Sequence, residues 1–382
     1  MNVVDFQPVI WNVLLKSIQL NKLSNGYLFY GPQGCGKEWT ALEFARILNC
    51  LNNDDTTCYS CDSCIKFKSF QHPNLFMTFP LPASKKENKK KDSIGNLSQD
   101  NYEILLDSLN KKSDNPFYKL NIPGAQRILL SSIKDIKKNC FLKLEHAGKK
   151  VFIIFDAHLL SIGSGESANS LLKILEEPPL DSLFILTTDF KNKLLPTILS
   201  RCQKYFFSNV DIFNVQLYLE KQGVDKEKAK EIASFSFGNI QFANKLINVS
   251  NESIFDKTQK LIEQLIVFKR DNWESFLKEF NILAYRNPDE YNLNFQLAQA
   301  WFNHAMKIRS GNESLSLGFK KIENNINEFN KNYPNADLVE INILIEHALS
   351  ALKKNLDINL TLINFLMSMQ SLLKGKKIKK VI

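Results

Sequence analysis

The chain has 382 residues, with 49 Lys and Arg against 40 Asp and Glu (net +9), and only 14 Gly and 12 Pro. A hydrophobic share of 44% with 23% charged residues excludes a wholly disordered chain, a disulfide-framed mini-protein and a collagen-like repeat. The length allows two or three domains, and the scarcity of Gly and Pro favours helix. The modest basic excess permits a nucleic-acid or acidic partner without requiring one. No apolar run reaches the ~18–20 residues of a membrane span, and the first residues carry no basic leader. Four of the seven cysteines crowd into Cys50–Cys64, which suits a reduced metal site better than disulfides, so a cytoplasmic location is expected.

In chain order, Asn25–Tyr30 (NGYLFY) is a short β-type run ending in a Gly-rich turn, and Glu38–Leu48 has helical spacing. Residues 81–120 are polar and rich in Lys, notably over Lys85–Lys91. They are expected to be an insertion or a mobile loop with one short helix around Tyr102–Leu109. Ile122–Glu145 is expected to be one long amphipathic helix. Lys149–Asp156 (KKVFIIFD) and Leu183–Thr188 (LFILTT) are continuous apolar runs, the pattern of strands buried on both faces of a parallel sheet. Between them, Ala168, Leu171, Leu172 and Leu175 mark a helix that Pro178-Pro179 ends. The strand–helix–strand alternation implies a doubly wound α/β domain over about residues 1–208. After Val210 strand signals vanish. Residues 209–251 read as a small helical domain and 252–382 as a helical C-terminal domain with a basic end, Lys374–Lys380.

Gly31–Glu38 (GPQGCGKE) follows a strand and opens a helix, matching the phosphate-loop pattern G-x-x-x-x-G-K-[ST] except at its last position. Gly31, Gly34 and Gly36 let backbone N–H groups turn towards phosphate oxygens, and Lys37 would reach the β/γ-phosphates. Glu38 replaces the hydroxyl that holds Mg²⁺; a carboxylate at a helix N-terminus competes with a triphosphate for the same positive potential. Asp156 ends a hydrophobic strand where a Mg²⁺-positioning acid is expected, but Ala157 stands where a second acid would activate water. With two parts absent, ATP hydrolysis by this chain is not expected. Weak ATP or ADP binding and a vestigial loop kept for its shape both stay open.

Cys50, Cys58, Cys61 and Cys64 form C-x7-C-x2-C-x2-C, a spacing that lets four thiolates close the tetrahedral shell of a structural zinc ion. Cys35, Cys140 and Cys202 read as packing residues. Glu176-Glu177 are adjacent on a helix, so they diverge and cannot act as paired acids. His158 is read as strand-end packing, and Trp273, Phe276, Phe280, Phe295, Trp301 and Phe302 as core.

The combination of GYLFYGPQGCGK, the four-cysteine module, His72-Pro73-Asn74, VFIIFDAHLL, SANSLLKILEEPP, LTT and TILSRC resembles the clamp-loader AAA+ subunits of bacterial DNA polymerase III over roughly residues 5–245. The resemblance implies an α/β AAA+ P-loop domain with an inserted zinc module, a small helical lid domain and an all-helical collar domain for oligomerisation. It implies structural Zn²⁺ at the four cysteines, a sensor position at Thr187 and Thr188, and an arginine finger at Arg201 (within Ser200-Arg201-Cys202) that reaches a neighbour's ATP site. Gln241, in Gly238-Asn239-Ile240-Gln241, stands where the motor subunit of the family has Arg. With Glu38 and Ala157, it points to the member with degenerate nucleotide motifs. The implied role is that of a non-hydrolysing subunit in a hetero-oligomer with gamma/tau and delta subunits, acting on the sliding clamp and primed DNA, with no membrane. The alternative readings are an ATP-hydrolysing gamma/tau-like motor and a zinc-dependent DNA-binding module.

Overall fold

The computed structural model describes residues 2–52, 57–83, 92–142, 148–247, 254–311, 320–352, 354 and 356–376. The Lys85–Lys91 run and the last residues of the basic end lie outside them. Two compact units are present: residues 1–218 with 238–242, and residues 219–237 with 243–382.

The first unit is built on a five-stranded parallel sheet of β1 (Gly26–Tyr30), β2 (Leu75–Thr78), β3 (Lys150–Ile154), β4 (Ser182–Thr188) and β5 (Gln203–Phe206), in the order β2-β3-β4-β1-β5. Tyr27 of β1 lies opposite Ile185 of β4 on one side and Gln203 of β5 on the other. Every residue of β3 and β4 is buried, as their unbroken apolar runs require. Alternate strand residues feed two layers. Tyr27, Phe29, Ile153 and Ile185 pack with Ala41, Phe44 and Ala45 of the helix Lys37–Ile47. Leu28, Phe152, Ile154 and Phe184 pack with Ile133, Ile136, Ala168 and Leu171 on the other face. Helices on both faces cover the sheet, so all the strand C-terminal ends open on one edge, where such folds bind ligands.

The helix Glu166–Glu176 ends before the Pro-Pro pair as expected. Two expectations are corrected. Among the described residues, the predicted helix Ile122–Glu145 forms only over Leu130–Cys140, and its last three positions lie outside them. Gly124, at φ +75°, makes a turn, and Leu81 pairs with Arg127 in an isolated bridge, so residues 122–129 spend their backbone groups outside a helix. The described part of the 81–120 segment is also ordered into the core. Its helix runs over Gln99–Asp114, capped by Ser98, and buries Leu105, Ser108 and Lys112. The short strands β2 and β5 carried too little pattern to be predicted.

The second unit is helical throughout its described residues. Its longest helix, Pro288–Arg309, starts with a proline at its first turn and an Asn287 cap. Phe276, Phe280, Phe295, Trp301 and Phe302 are buried as expected, the Phe276 and Phe280 rings stacking at 4.1 Å. Trp273 is half-buried. No described helix is long and apolar enough to cross a membrane.

Candidate functional site

The phosphate-loop segment lies at the C-terminal end of β1, and its glycines are needed as read. Gly34 has φ +70°, and a Cβ there would sit 1.8 Å from Asn239 Oδ1. Ile240 N–H donates to Gly34 O at 3.1 Å, so the Gly238–Gln241 turn packs directly on the loop. Gly36, at φ +92°, is the left-handed residue that starts the following helix.

The charged residues of the site are engaged with one another. Lys37 Nζ lies 2.8 Å from Asp189 Oδ1 and donates to Gly31 O at 2.9 Å and Pro32 O at 2.6 Å. Asp156, held at φ +49° just beyond β3, accepts from Lys119 Nζ at 2.8 Å, and the same ammonium reaches Asp189 Oδ2 at 3.2 Å. Burial works against the Lys119 cation, but Asp156, Asp189 and Glu38 outweigh it and raise its pKa. Burial likewise opposes the Asp189 carboxylate, yet Lys119 and Lys37 prevail and lower its pKa. Glu38 is paired with Lys112 Nζ at 2.5 Å; that lysine side chain is fully buried and also donates to Tyr118 O at 2.8 Å.

Over these groups lies the turn that follows Gln99–Asp114. Pro116, Phe117 and Lys119 close the loop into a cavity of about 20 Å³, shared with Trp39, Asp189 and Gln241. That is space for about one water, whereas small-molecule sites run to roughly 300–1,000 Å³. The residues present therefore do not fit a Mg²⁺–nucleoside triphosphate: a carboxylate replaces the hydroxyl, a lysine stands between the acids, and the volume is absent.

Thr187 and Thr188 end β4 and are both buried. Thr188 Oγ1 accepts from Phe190 N–H at 3.0 Å and lies 3.1 Å from His158 Nδ1, so His158 is a packing residue at the strand ends as expected. Ala157 is fully buried. Arg201 ends the short helix Pro196–Arg201, away from this cluster. Its side chain is one-third exposed, donates to Thr197 O at 2.9 Å and pairs with Glu176 Oε1 at 2.5 Å. Ser200 beside it is exposed and Cys202 is buried.

The four cysteines converge. All four sulfurs lie within 4.8 Å of one another, with Sγ–Sγ distances of 3.5 Å (Cys50–Cys58), 3.6 Å (Cys50–Cys64) and 3.8 Å (Cys58–Cys64). Four sulfurs at ~2.3 Å from a tetrahedral centre would stand about 3.8 Å apart, so the set fits a metal ion. Backbone N–H groups of Ser60 and Cys61 face the Cys58 sulfur and hold its pKa down to about 6, whereas burial pushes the Cys64 thiol up. Tyr59, between the ligands, reaches Glu43 Oε2 at 3.2 Å, and Glu43 also accepts from Trp39 Nε1 at 3.3 Å. The module is thereby tied to the helix that follows the phosphate loop.

Sequence reasoning missed Lys112, Lys119 and Asp189. Asp189 could have been found as the acid immediately after a buried strand; the two lysines have no local signal. It also missed a second concavity of about 160 Å³ lined by Arg127, Ser131, Lys134, Ser164 and Glu166, at the N-terminal ends of Leu130–Cys140 and Glu166–Glu176.

The family model described as "DNA polymerase III, delta subunit" matches residues 6–211, more than half the chain. The DNA polymerase III subunit delta' of Bacillus subtilis is 28% identical over 285 residues, 72% of each chain. The DNA polymerase III subunit gamma/tau of Mycoplasma genitalium is 31% identical over 259 residues, covering 66% of this chain and 36% of that one. A gamma subunit-related protein from Thermotoga maritima aligns over 94% of this chain, but at a TM-score of 0.36 and 14% identity it carries no weight. The chain belongs to the DNA polymerase III delta-subunit family and is a delta-prime-like clamp-loader subunit.

Proposed function

We propose that the chain is a non-hydrolysing subunit of a clamp loader that places the sliding clamp on primed DNA, and that it supplies Arg201 to the ATP site of a neighbouring gamma/tau-type subunit. The observation that carries the reading is the state of its own loop. Lys37 is held by Asp189 and two loop carbonyls, Glu38 stands in place of the hydroxyl, and Ala157 replaces the water-activating acid. A loop so neutralised has lost both the cation and the base that phosphoryl transfer needs.

Arg201 suits a role in trans because its only ionic partner among the described residues, Glu176, is itself nearly half exposed. Such a pair is worth ~1 kcal/mol or less, so the guanidinium can leave it for a phosphate at little cost. Stabilising charge on a γ-phosphate in this way is worth on the order of 10³–10⁵ in rate in comparable systems. In the same reading Cys50, Cys58, Cys61 and Cys64 hold structural Zn²⁺, which orders the segment after the first loop helix. Residues 209–251 form the lid, 252–382 form the collar that joins gamma/tau and delta subunits, and the assembly works in the cytoplasm. In the same reading Arg127 and Lys134 at the second concavity, which make no ion pair among the described residues, would meet DNA phosphates.

The test is reconstitution with gamma/tau and delta subunits. Arg201→Ala should lower the ATPase of the complex by at least ~10-fold with assembly intact; unchanged turnover rejects the trans role. The purified chain should show no ATP turnover. Turnover abolished by Lys37→Ala would instead identify a motor subunit.

A further inference from the structure

Lys119 Nζ sits between Asp156 and Asp189, at 2.8 and 3.2 Å, beyond the ends of two neighbouring parallel strands. A divalent cation in a phosphate-loop fold would be sought at that place, next to the acid that ends the hydrophobic strand. We propose that Lys119 is a resident cation of this site, and that the Gln99–Lys119 segment is a built-in plug that takes over the space and charge of Mg²⁺ and nucleotide. The proposal deepens the silent-loop reading above and rests on it.

Three observations support the plug. The charges balance: Lys37, Lys112 and Lys119 face Glu38, Asp156 and Asp189, leaving no net positive charge for a polyanion. The segment is anchored as well as charged. Phe117, 4% exposed, packs edge-on against Trp39, Phe6 and Tyr218, with ring centroids 5.1, 5.2 and 5.5 Å away. Its Cε1 would be 3.5 Å from a Cβ on Gly36, so the ring rests on the phosphate loop itself. The turn that carries it is also fixed, with Asn115 accepting from the Phe117 and Tyr118 N–H groups. A loop shaped for phosphates is in this way held in shape by protein groups alone.

The test uses the full chain and Mn²⁺ alone, with free Mn²⁺ counted by electron paramagnetic resonance. Lys119→Met removes the charge and keeps the stem, leaving Asp156 and Asp189 to share a cation. It should bind Mn²⁺ at least ~10-fold more tightly than wild type, because a like charge at ion-pair distance is gone. Lys119→Arg should behave as wild type, and Lys119→Met/Asp156→Asn should lose the gain. No gain in Lys119→Met, or equally tight binding by wild type, overturns the plug. Wild type alone provides a second measurement: hydrogen exchange across residues 99–119 should be unchanged by millimolar MgATP, and deprotection of that segment by MgATP also overturns it. ATP turnover by the wild-type chain would reject the silent-loop reading. A silent wild type whose Lys119→Met gains no Mn²⁺ rejects the plug alone.

Discussion

The Glu38–Lys112 pair offers an asymmetric test of the phosphate-loop chemistry, because its two halves are buried to different degrees. Lys112 is fully buried; once Glu38 is gone, its ammonium keeps only Tyr118 O at 2.8 Å and the face of the Phe155 ring, 5.2 Å away. Glu38→Ala therefore strands a buried charge and should cost about 3–5 kcal/mol. Lys112→Met strands Glu38 instead, but that carboxylate is 16% exposed and sits in the first turn of Lys37–Ile47. Water and the helix dipole, the latter worth ~0.3–1 kcal/mol, take up part of its charge. The cost should be about 1–2 kcal/mol. The double variant removes both charges and should resemble Lys112→Met alone, so the coupling should match the cost of the Glu38 variant, about 3–5 kcal/mol. Hydrogen exchange at the amides of Lys37–Ile47 in urea reads this helix by itself. Equal costs for the two single variants, or a larger cost for Lys112→Met, would refute the placement of the charge.

Three further outcomes are expected. The purified chain should carry stoichiometric zinc by elemental analysis, and Cys61→Ala should lose it and change Trp39 fluorescence through the Tyr59–Glu43–Trp39 chain of hydrogen bonds. Gly34→Ala should destabilise the first unit by more than ~1 kcal/mol, since the new Cβ meets Asn239 at 1.8 Å and the backbone is at φ +70°; an unchanged melting temperature contradicts this. His304 is buried, its Nε2–H faces Ser234 O at 3.1 Å, and burial, with Lys307 nearby, lowers its pKa to about 3. The folded state keeps it neutral while the unfolded chain takes up a proton below about pH 6.5. Its stabilising effect is therefore complete above pH 6.5 and lost as the pH falls towards 3, by about 2 kcal/mol at pH 5. His304→Gln should flatten the urea-midpoint difference between pH 7 and pH 5.

Much of the fold was legible because it is written in local pattern. The runs VFIIF and LFILTT could only be buried parallel strands, and the proline pair after Glu177 stopped a helix where expected. The four cysteines were legible because metal spacing is local too. What could not be read was non-local: Lys112 and Lys119 lie in a polar stretch whose composition resembles solvated surface, and only the folded chain brings them 74 and 37 residues across sequence to Glu38 and Asp156. The long helix expected over Ile122–Glu145 failed for a related reason. Its apolar spacing was real, but Leu81, distant in sequence, claimed the backbone of Arg127 first.

The position of β1 in the sheet also has a consequence for the order in which the chain can assemble during synthesis. β1 is made early, yet both its neighbours, β4 and β5, come more than 150 residues later. Until Ser182–Thr188 leaves the ribosome, the GYLFY strand has apolar faces and two unpaired edges. Lys37 likewise waits for Asp189. The first unit should thus close late and in one step, once residue 242 or so has emerged, and a nascent chain halted before β4 should be a substrate for chaperones rather than a partly folded domain.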